Sequence, residues 1–251
     1  MARTDSTRKG VAGGESARAA ILNAALTIFS REGAAGARTE EIARAAGVNK
    51  ALLYYYFENK DALLGAVLEH VMGQVVPGLI TAIDTAGTPR EQVLAYIHMH
   101  FDAIASKPRI SRLIQYEILR AAEGNPSHML LIAERFNRPL SRRLQRTVQE
   151  GIDCGDFVPS DAKQVVLSIL SLVVFYFMTA PVIQLVAGYD PYDAARLAQR
   201  KAAVIDFVTH ALFVARSANK SPATTAERVT RTAGKTMGRP NKKGRPGERK
   251  K

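Results

Sequence analysis

Apolar residues recur along this chain at the spacing of a helix. Ile21, Leu22, Ala25, Leu26 and Phe29 form one stripe that Gly33 closes as a C-terminal stop. Thr39 offers an N-cap to a short second helix with Glu40 and Glu41 in its first turn, ended by Gly47. Asn49 caps a third helix over 50–57, and Asn59 a fourth that starts at Lys60. The pattern predicts further helices over roughly 60–85, 89–106, 109–122, 127–152, 161–187 and 191–216, separated by glycine- and proline-containing breaks. Pro77, Pro139 and Pro181 fall inside these segments and are expected to kink them or to mark further breaks. No stretch sustains period-two alternation, and no Asn-Gly or Asp-Gly hairpin signal occurs. The expected fold class is all-α, with about nine helices.

The ends differ from the middle. Residues 1–14 and 218–251 are rich in Gly, Ser, Thr and basic residues, and bury too little apolar surface to offset their ordering entropy, so both are expected to be disordered. Between them the pattern is helical nearly throughout. With 47% hydrophobic residues in 251, a full core can form. The single cysteine, Cys154, excludes a disulfide scaffold and a four-cysteine zinc site. The start of the chain has no apolar run of the secretory kind, so a cytoplasmic location is expected. The net charge is +12 and unevenly placed. Residues 1–60 hold nine basic and six acidic side chains, 61–217 hold fifteen of each, and 218–251 hold eleven and two. Such basic ends attract polyanions, either nucleic acid or an anionic membrane, although a solubilising tail accounts for the same charge.

The stretch TEEIARAAGVNKALLYYYF at 39–57 has the marks of a helix-turn-helix. Ala43 is small enough for two helices to cross, Gly47 serves the turn, and Ile42, Val48 and Leu53 take the inner positions. Around the third helix, Lys50, Ala51, Tyr54 and Tyr55 share one face, and Leu52, Leu53, Tyr56 and Phe57 the other. The first face combines a cation, a small residue and two phenols, a surface suited to a DNA major groove. Packing against the first helix is the competing account of the tyrosines, and it is preferred for Tyr56.

Residues 15–64, above all GVNKALLYYYFENKDALL, resemble the DNA-binding domain of the TetR family of transcriptional regulators. The resemblance implies that 15–62 binds DNA and that 63–217 is an all-α domain for ligand binding and dimerisation. It further implies that Thr39 meets a phosphate, that Lys50 and Ala51 approach base edges, and that Tyr54 reaches a base or phosphate. Tyr55, Tyr56 and Lys60 would contact phosphates. Where some members place a base-reading arginine, this chain has Glu40.

Residues 164–189 contain no charge and are formally long enough to span a bilayer. Their interspersed Gln, Ser, Thr and Pro and the lack of cationic flanks favour instead a buried helix of an all-α assembly. In the TetR-like reading, 161–216 pairs with a second copy as a four-helix bundle, and no membrane is involved. Tyr96, His100, Tyr116, Phe136 and Tyr176 are the candidate ligand-pocket residues, although aromatic residues at helical spacing are more often core. His98 and His100 are two apart and diverge on a helix, so no metal site is expected. Arg135, Arg138, Arg142, Arg143 and Arg146 read as a solvated face, or alternatively as a face that meets an anionic ligand. No nucleophile–base pair or phosphate loop appears, so neither an enzyme nor a cofactor is expected.

The tail repeats Gly-Arg-Pro at 238–240 and 244–246. It partly resembles the AT-hook, with Arg239 and Arg245 as candidate minor-groove residues, and a generic basic tail is the alternative. The sequence as a whole points to a sequence-specific DNA-binding regulator: a homodimeric repressor released from a palindromic operator by a small molecule. An architectural, nucleoid-type protein and a membrane-anchored regulator are the alternatives.

Overall fold

Helix follows helix through the chain. The computed structural model describes residues 5–215, with the side chains of 15–215. The order is α1 (Asp5–Gly36), α2 (Thr39–Ala45), α3 (Lys50–Tyr56), α4 (Lys60–Thr85), α5 (Pro89–Ala105), α6 (Pro108–Ala122) and α7 (Ser127–Ile132). A π-helical turn (Ala133–Asn137) leads into α8 (Arg138–Asp153), followed by α9 (Ala162–Met178), α10 (Ala180–Ala187) and α11 (Ala194–Leu212). Among the described residues the only β pairing is an isolated antiparallel bridge between Phe157 and Phe213.

The start and stop residues act largely as their chemistry requires. Gly33 takes φ 69° and interrupts α1. The side chains of Asn49 and Asn59 accept the amide protons of Leu52 and Ala62 at 2.7 and 2.8 Å. Thr88 and Glu91 close a capping box ahead of α5.

Several boundaries differ from expectation. Residues 5–14, expected to be disordered, continue α1, because extending an existing helix costs far less than nucleating one. The expected helix at 127–152 contains the π turn, directly ahead of Pro139. A proline ring clashes with the carbonyl four residues back, and the wider turn accommodates it. The expected helix at 161–187 breaks at Thr179, ahead of Pro181, and α9 and α10 meet at a bend of 66°. The last helix stops at Leu212, where the chain turns extended to form the bridge. Pro77, in contrast, lies inside an unbroken α4. The tail at 218–251, Arg239 and Arg245 included, lies outside the described residues.

The buried side chains form two clusters, and α4 belongs to both. Ile21, Leu22, Ile28 and Phe29 of α1 pack with Ile42, Leu53, Leu63, Leu64, Val67 and Leu68, and with Leu113 and Ile132 from α6 and α7. The far half of α4 supplies Val76, Leu79 and Ile83 to a second cluster with residues of α5, α8, α9 and α11. Each fully buried side chain of this size contributes about 1.5–3 kcal/mol. The 26-residue α4 is long and apolar enough to cross a membrane, but its apolar residues are those that build the two cores.

The Phe157–Phe213 bridge closes the second core. The rings stack with centroids 5.1 Å apart, and Arg90 lies over Phe213 while donating to Asp156 at 3.0 Å. The ring of Phe157 lies against Gly151, where an added Cβ would come within 2.3 Å of it. Gly151→Ala should therefore destabilise the protein by about 1–3 kcal/mol, the overpacking cost outweighing the gain in helix propensity. Urea unfolding at an unchanged m-value checks this, and a variant as stable as the parent would exclude the clash.

Candidate nucleic-acid interface

Two short helices and a tight turn build the surface. Gly47 sits at φ 69°, a conformation that favours glycine, and the Val48 amide donates to the Ala43 carbonyl at 3.0 Å. Ala43 is buried at the crossing of α2 and α3. Leu53 and Phe57 face the core, and Tyr56 is half-buried against it. Lys50 and Ala51 are exposed, as are Tyr54 (41%) and Tyr55 (79%). The helix thus presents outward the four residues expected on one face, while Tyr56 packs as the competing account of the tyrosines held.

Side-chain contacts join α2 to α3 across this face. Thr39 is the first residue of α2 rather than its cap; Arg38 occupies the cap position, with no capping side-chain bond. Thr39 is only 7% exposed, and its hydroxyl lies 3.1 Å from the Tyr54 hydroxyl. Glu40 pairs with Lys50, whose ammonium also lies 5.7 Å from the centroid of the Tyr54 ring. The Lys50 hydrogen bond holds the Glu40 carboxyl below its ordinary range, and Glu40 in turn raises the Lys50 ammonium. Lys60 is placed differently from expectation. Its ammonium donates to the carbonyls of Ala35 and Ala37 at 3.3 and 3.1 Å, tying the end of α1 to the start of α4. Sequence reasoning missed Arg38, at the cap of α2, and Arg44, in its last turn, both exposed with no ion pair among the described residues. Their position beside the turn was the available signal.

This arrangement coincides with a known domain. The model of bacterial regulatory proteins of the tetR family matches residues 21–67, and a tetracyclin repressor-like C-terminal domain matches 89–208. The regulator RutR of Escherichia coli K12 is 30% identical over 171 residues, which cover 67% of this chain and 77% of RutR. The chain belongs to the TetR family of transcriptional regulators. The BetI regulator of Rhizobium meliloti is 38% identical over 86 residues, spanning 34% of this chain and 42% of BetI. Among solved structures, the regulator FadR from Bacillus subtilis in complex with stearoyl-CoA aligns at a TM-score of 0.62 and 22% identity, covering 75% of this chain and 96% of that one. That likeness concerns the fold. As a TetR-family member, the chain is a DNA-binding transcriptional regulator.

Of the five expected pocket residues, Tyr96, Phe136 and Tyr176 share the second core and His100 bonds Tyr96, while Tyr116 packs elsewhere. Tyr96 and Tyr176 belong to the second core, and the Tyr176 hydroxyl donates to the Pro191 carbonyl at 2.8 Å. Tyr116 lies against Gly33, at the contact of α1 with α6. Phe136, on the π turn, helps line a groove of about 190 Å³ with Arg18, His70 and Arg135. A second groove, of about 630 Å³, is lined by Arg142, Arg146, Asp161 and Lys163 among others. Within the arginine run, Arg135, Arg138 and Arg143 pair with Glu69, Glu134 and Asp84. Arg142 and Arg146 have no ion pair among the described residues. His100 bonds Tyr96 at 2.9 Å, and burial pushes its imidazole down to about 4.

Two outcomes follow from these contacts. Glu40→Gln frees Lys50 and removes an anion from the exposed face, so affinity for any duplex should rise. Its salt slope should steepen by about 0.9 for each phosphate gained, measured by fluorescence anisotropy against salt. An unchanged slope would detach Lys50 from the interface. The neutral His100 binds fewer protons folded than unfolded, so its contribution is present above the unfolded value of 6.5 and lost as pH falls toward about 4. Wild-type stability should drop across that window by up to roughly 3 kcal/mol more than that of His100→Gln, as read by denaturation at each pH.

Proposed function

We propose that this TetR-family regulator is a homodimeric repressor whose α3 enters the major groove of a palindromic operator, and that a small-molecule effector releases it. The observation that carries the reading is the division of α3, with Leu53 and Phe57 in the core and Lys50, Ala51, Tyr54 and Tyr55 outward. Lys50 and Ala51 approach base edges in this reading, Tyr54 a base or phosphate, and Tyr55 a phosphate. Thr39 reaches a phosphate once its bond to Tyr54 rearranges. Residues 15–62 serve as the DNA-binding part and 63–217 as the effector and dimerisation part. The basic segment 218–251 adds salt-dependent affinity.

Dimerisation through 161–216 is supported by apolar surface that a monomer leaves in water. Phe175 is 66% and Leu185 85% exposed, and Leu167 on α9, Val182 and Val186 on α10 and Phe207 on α11 are exposed as well. An apolar patch on this scale marks an interface. The break at Thr179 extends it onto α10. The FadR complex with stearoyl-CoA shows that a protein of this fold accommodates a small molecule.

Selection of the full chain on a pool of random duplexes, followed by footprinting, tests the reading. It should yield an inverted repeat with half-sites about one helical turn, roughly 34 Å, apart. Equal retention of all duplexes would favour the architectural alternative, and partition of the chain into vesicles the membrane-anchored one. The paired substitution Phe175→Glu and Leu185→Glu should give a monomer by sedimentation velocity and lower operator affinity at least about tenfold, since one half-site alone then binds. A wild-type monomer at micromolar concentration would refute the dimer.

A further inference from the structure

Four side chains close a ring of polar contacts across the outer face of α2 and α3. The Thr39 hydroxyl lies 3.1 Å from that of Tyr54 and donates to one oxygen of the Glu40 carboxylate at 3.4 Å. The other Glu40 oxygen accepts from the Lys50 ammonium, which lies 5.7 Å from the centroid of the Tyr54 ring. Thr39 and Glu40 come from the first turn of α2, Lys50 and Tyr54 from α3. The two carboxylates of α2 go separate ways: Glu41 turns back to Arg31 on α1, and Glu40 turns to α3. Glu40 and Lys50 are both more than half exposed. The ring therefore holds an anion and a cation side by side on the surface, and the Lys50 hydrogen bond keeps the Glu40 carboxyl below its ordinary range and ionised.

Such a pair matches one feature of the major groove. A C·G base pair shows there the N4 amine of cytosine, a donor, beside the O6 of guanine, an acceptor. One hydrogen bond joins those two groups, and one hydrogen bond joins Glu40 to Lys50. Laid against that base pair, the carboxylate meets the amine and the ammonium meets O6 and N7. An ionised carboxylate only accepts, so a keto oxygen opposite it, O6 of guanine or O4 of thymine, sets lone pair against lone pair. Adenine offers an amine but carries the acceptor N7 beside it. A lone ammonium discriminates far less, because every base pair shows it some acceptor.

We propose that Glu40 and Lys50 together read one C·G base pair in each half-site, Glu40 accepting from the cytosine amine while Lys50 donates to the guanine. Glu40 sets the preference for that pair, and Lys50 supplies affinity. Each ion trades part of its hold on the other for a base group, and Thr39 orients the carboxylate in the free protein. The inference rests on α3 being the DNA-reading helix.

The test repeats the selection on random duplexes with the full-length wild type, Glu40→Ala and Glu41→Ala. The wild type should recover a half-site with one cytosine-dominated position, which Glu40→Ala leaves degenerate and Glu41→Ala retains. Anisotropy at fixed ionic strength, on four duplexes that differ at that base pair, should give the wild type at least about a fivefold preference for C·G over T·A and G·C, and Glu40→Ala less than about twofold. Replacing that cytosine by an analogue without the amine should cost the wild type at least about fivefold more than it costs Glu40→Ala. Glu40→Gln serves if Glu40→Ala fails to fold; its amide adds a donor and should move the preference toward adenine, which glutamine pairs at N6 and N7. A Glu40 that merely screens Lys50 predicts something else: its removal strengthens binding to all four duplexes by one factor and leaves their ratios as in the wild type. That result, or selections that do not diverge, overturns the inference. Lys50→Ala and Tyr54→Phe separate the two levels of failure. If neither weakens binding, α3 leaves the interface and the inference goes with it; if both do and Glu40→Ala keeps the wild-type ratios, only the role of Glu40 falls.

Discussion

Everything in this molecule hangs on α4 serving two cores. Its first half buries Leu63, Leu64, Val67 and Leu68 beside the helices of the DNA-reading end, and its second half buries Val76, Leu79 and Ile83 in the larger body. A helix is stiff along its axis, and close-packed side chains resist small shifts. The two ends of α4 therefore cannot be repacked independently. The ammonium of Lys60 reinforces the same point by holding the end of α1 to the first residue of α4.

The DNA-facing surface is restrained in its charge. Lys50 is neutralised by Glu40 in the free protein, and Thr39 and Tyr54 satisfy one another. In the proposed complex each of these contacts would be exchanged for one with DNA, which would lower affinity for arbitrary sequence and leave discrimination to the few groups that fit base edges. Arg38 and Arg44, with no ion pair among the described residues, stand at the two ends of α2, where phosphate contacts would set orientation rather than sequence preference.

Much of this was legible beforehand. The helical class, the starts at Asn49 and Asn59, the turn glycine and the two faces of α3 all follow from local pattern, because capping and a 3.6-residue period act within a few residues. Proline effects were legible only as alternatives. Pro77, Pro139 and Pro181 carry the same local signal, yet one sits in an unbroken helix, one follows a π turn and one follows a break. The surrounding packing decides among these outcomes.

The charge on Lys60 and the bulk of the aromatic residues could be counted but not placed. Lys60 turned inward to carbonyls of α1, Tyr116 lies against Gly33, and Tyr96, Phe136 and Tyr176 share the second core. The pairing of Glu40 with Lys50 was invisible, since the two lie 10 positions apart on different helices and share no spacing rule. Sequence by itself determined the helices, the recognition motif and the family resemblance, all of which depend on neighbours along the chain. Tertiary structure alone decided which charges pair, which phenols are buried and how one helix joins two cores, because those outcomes depend on which surfaces meet in space.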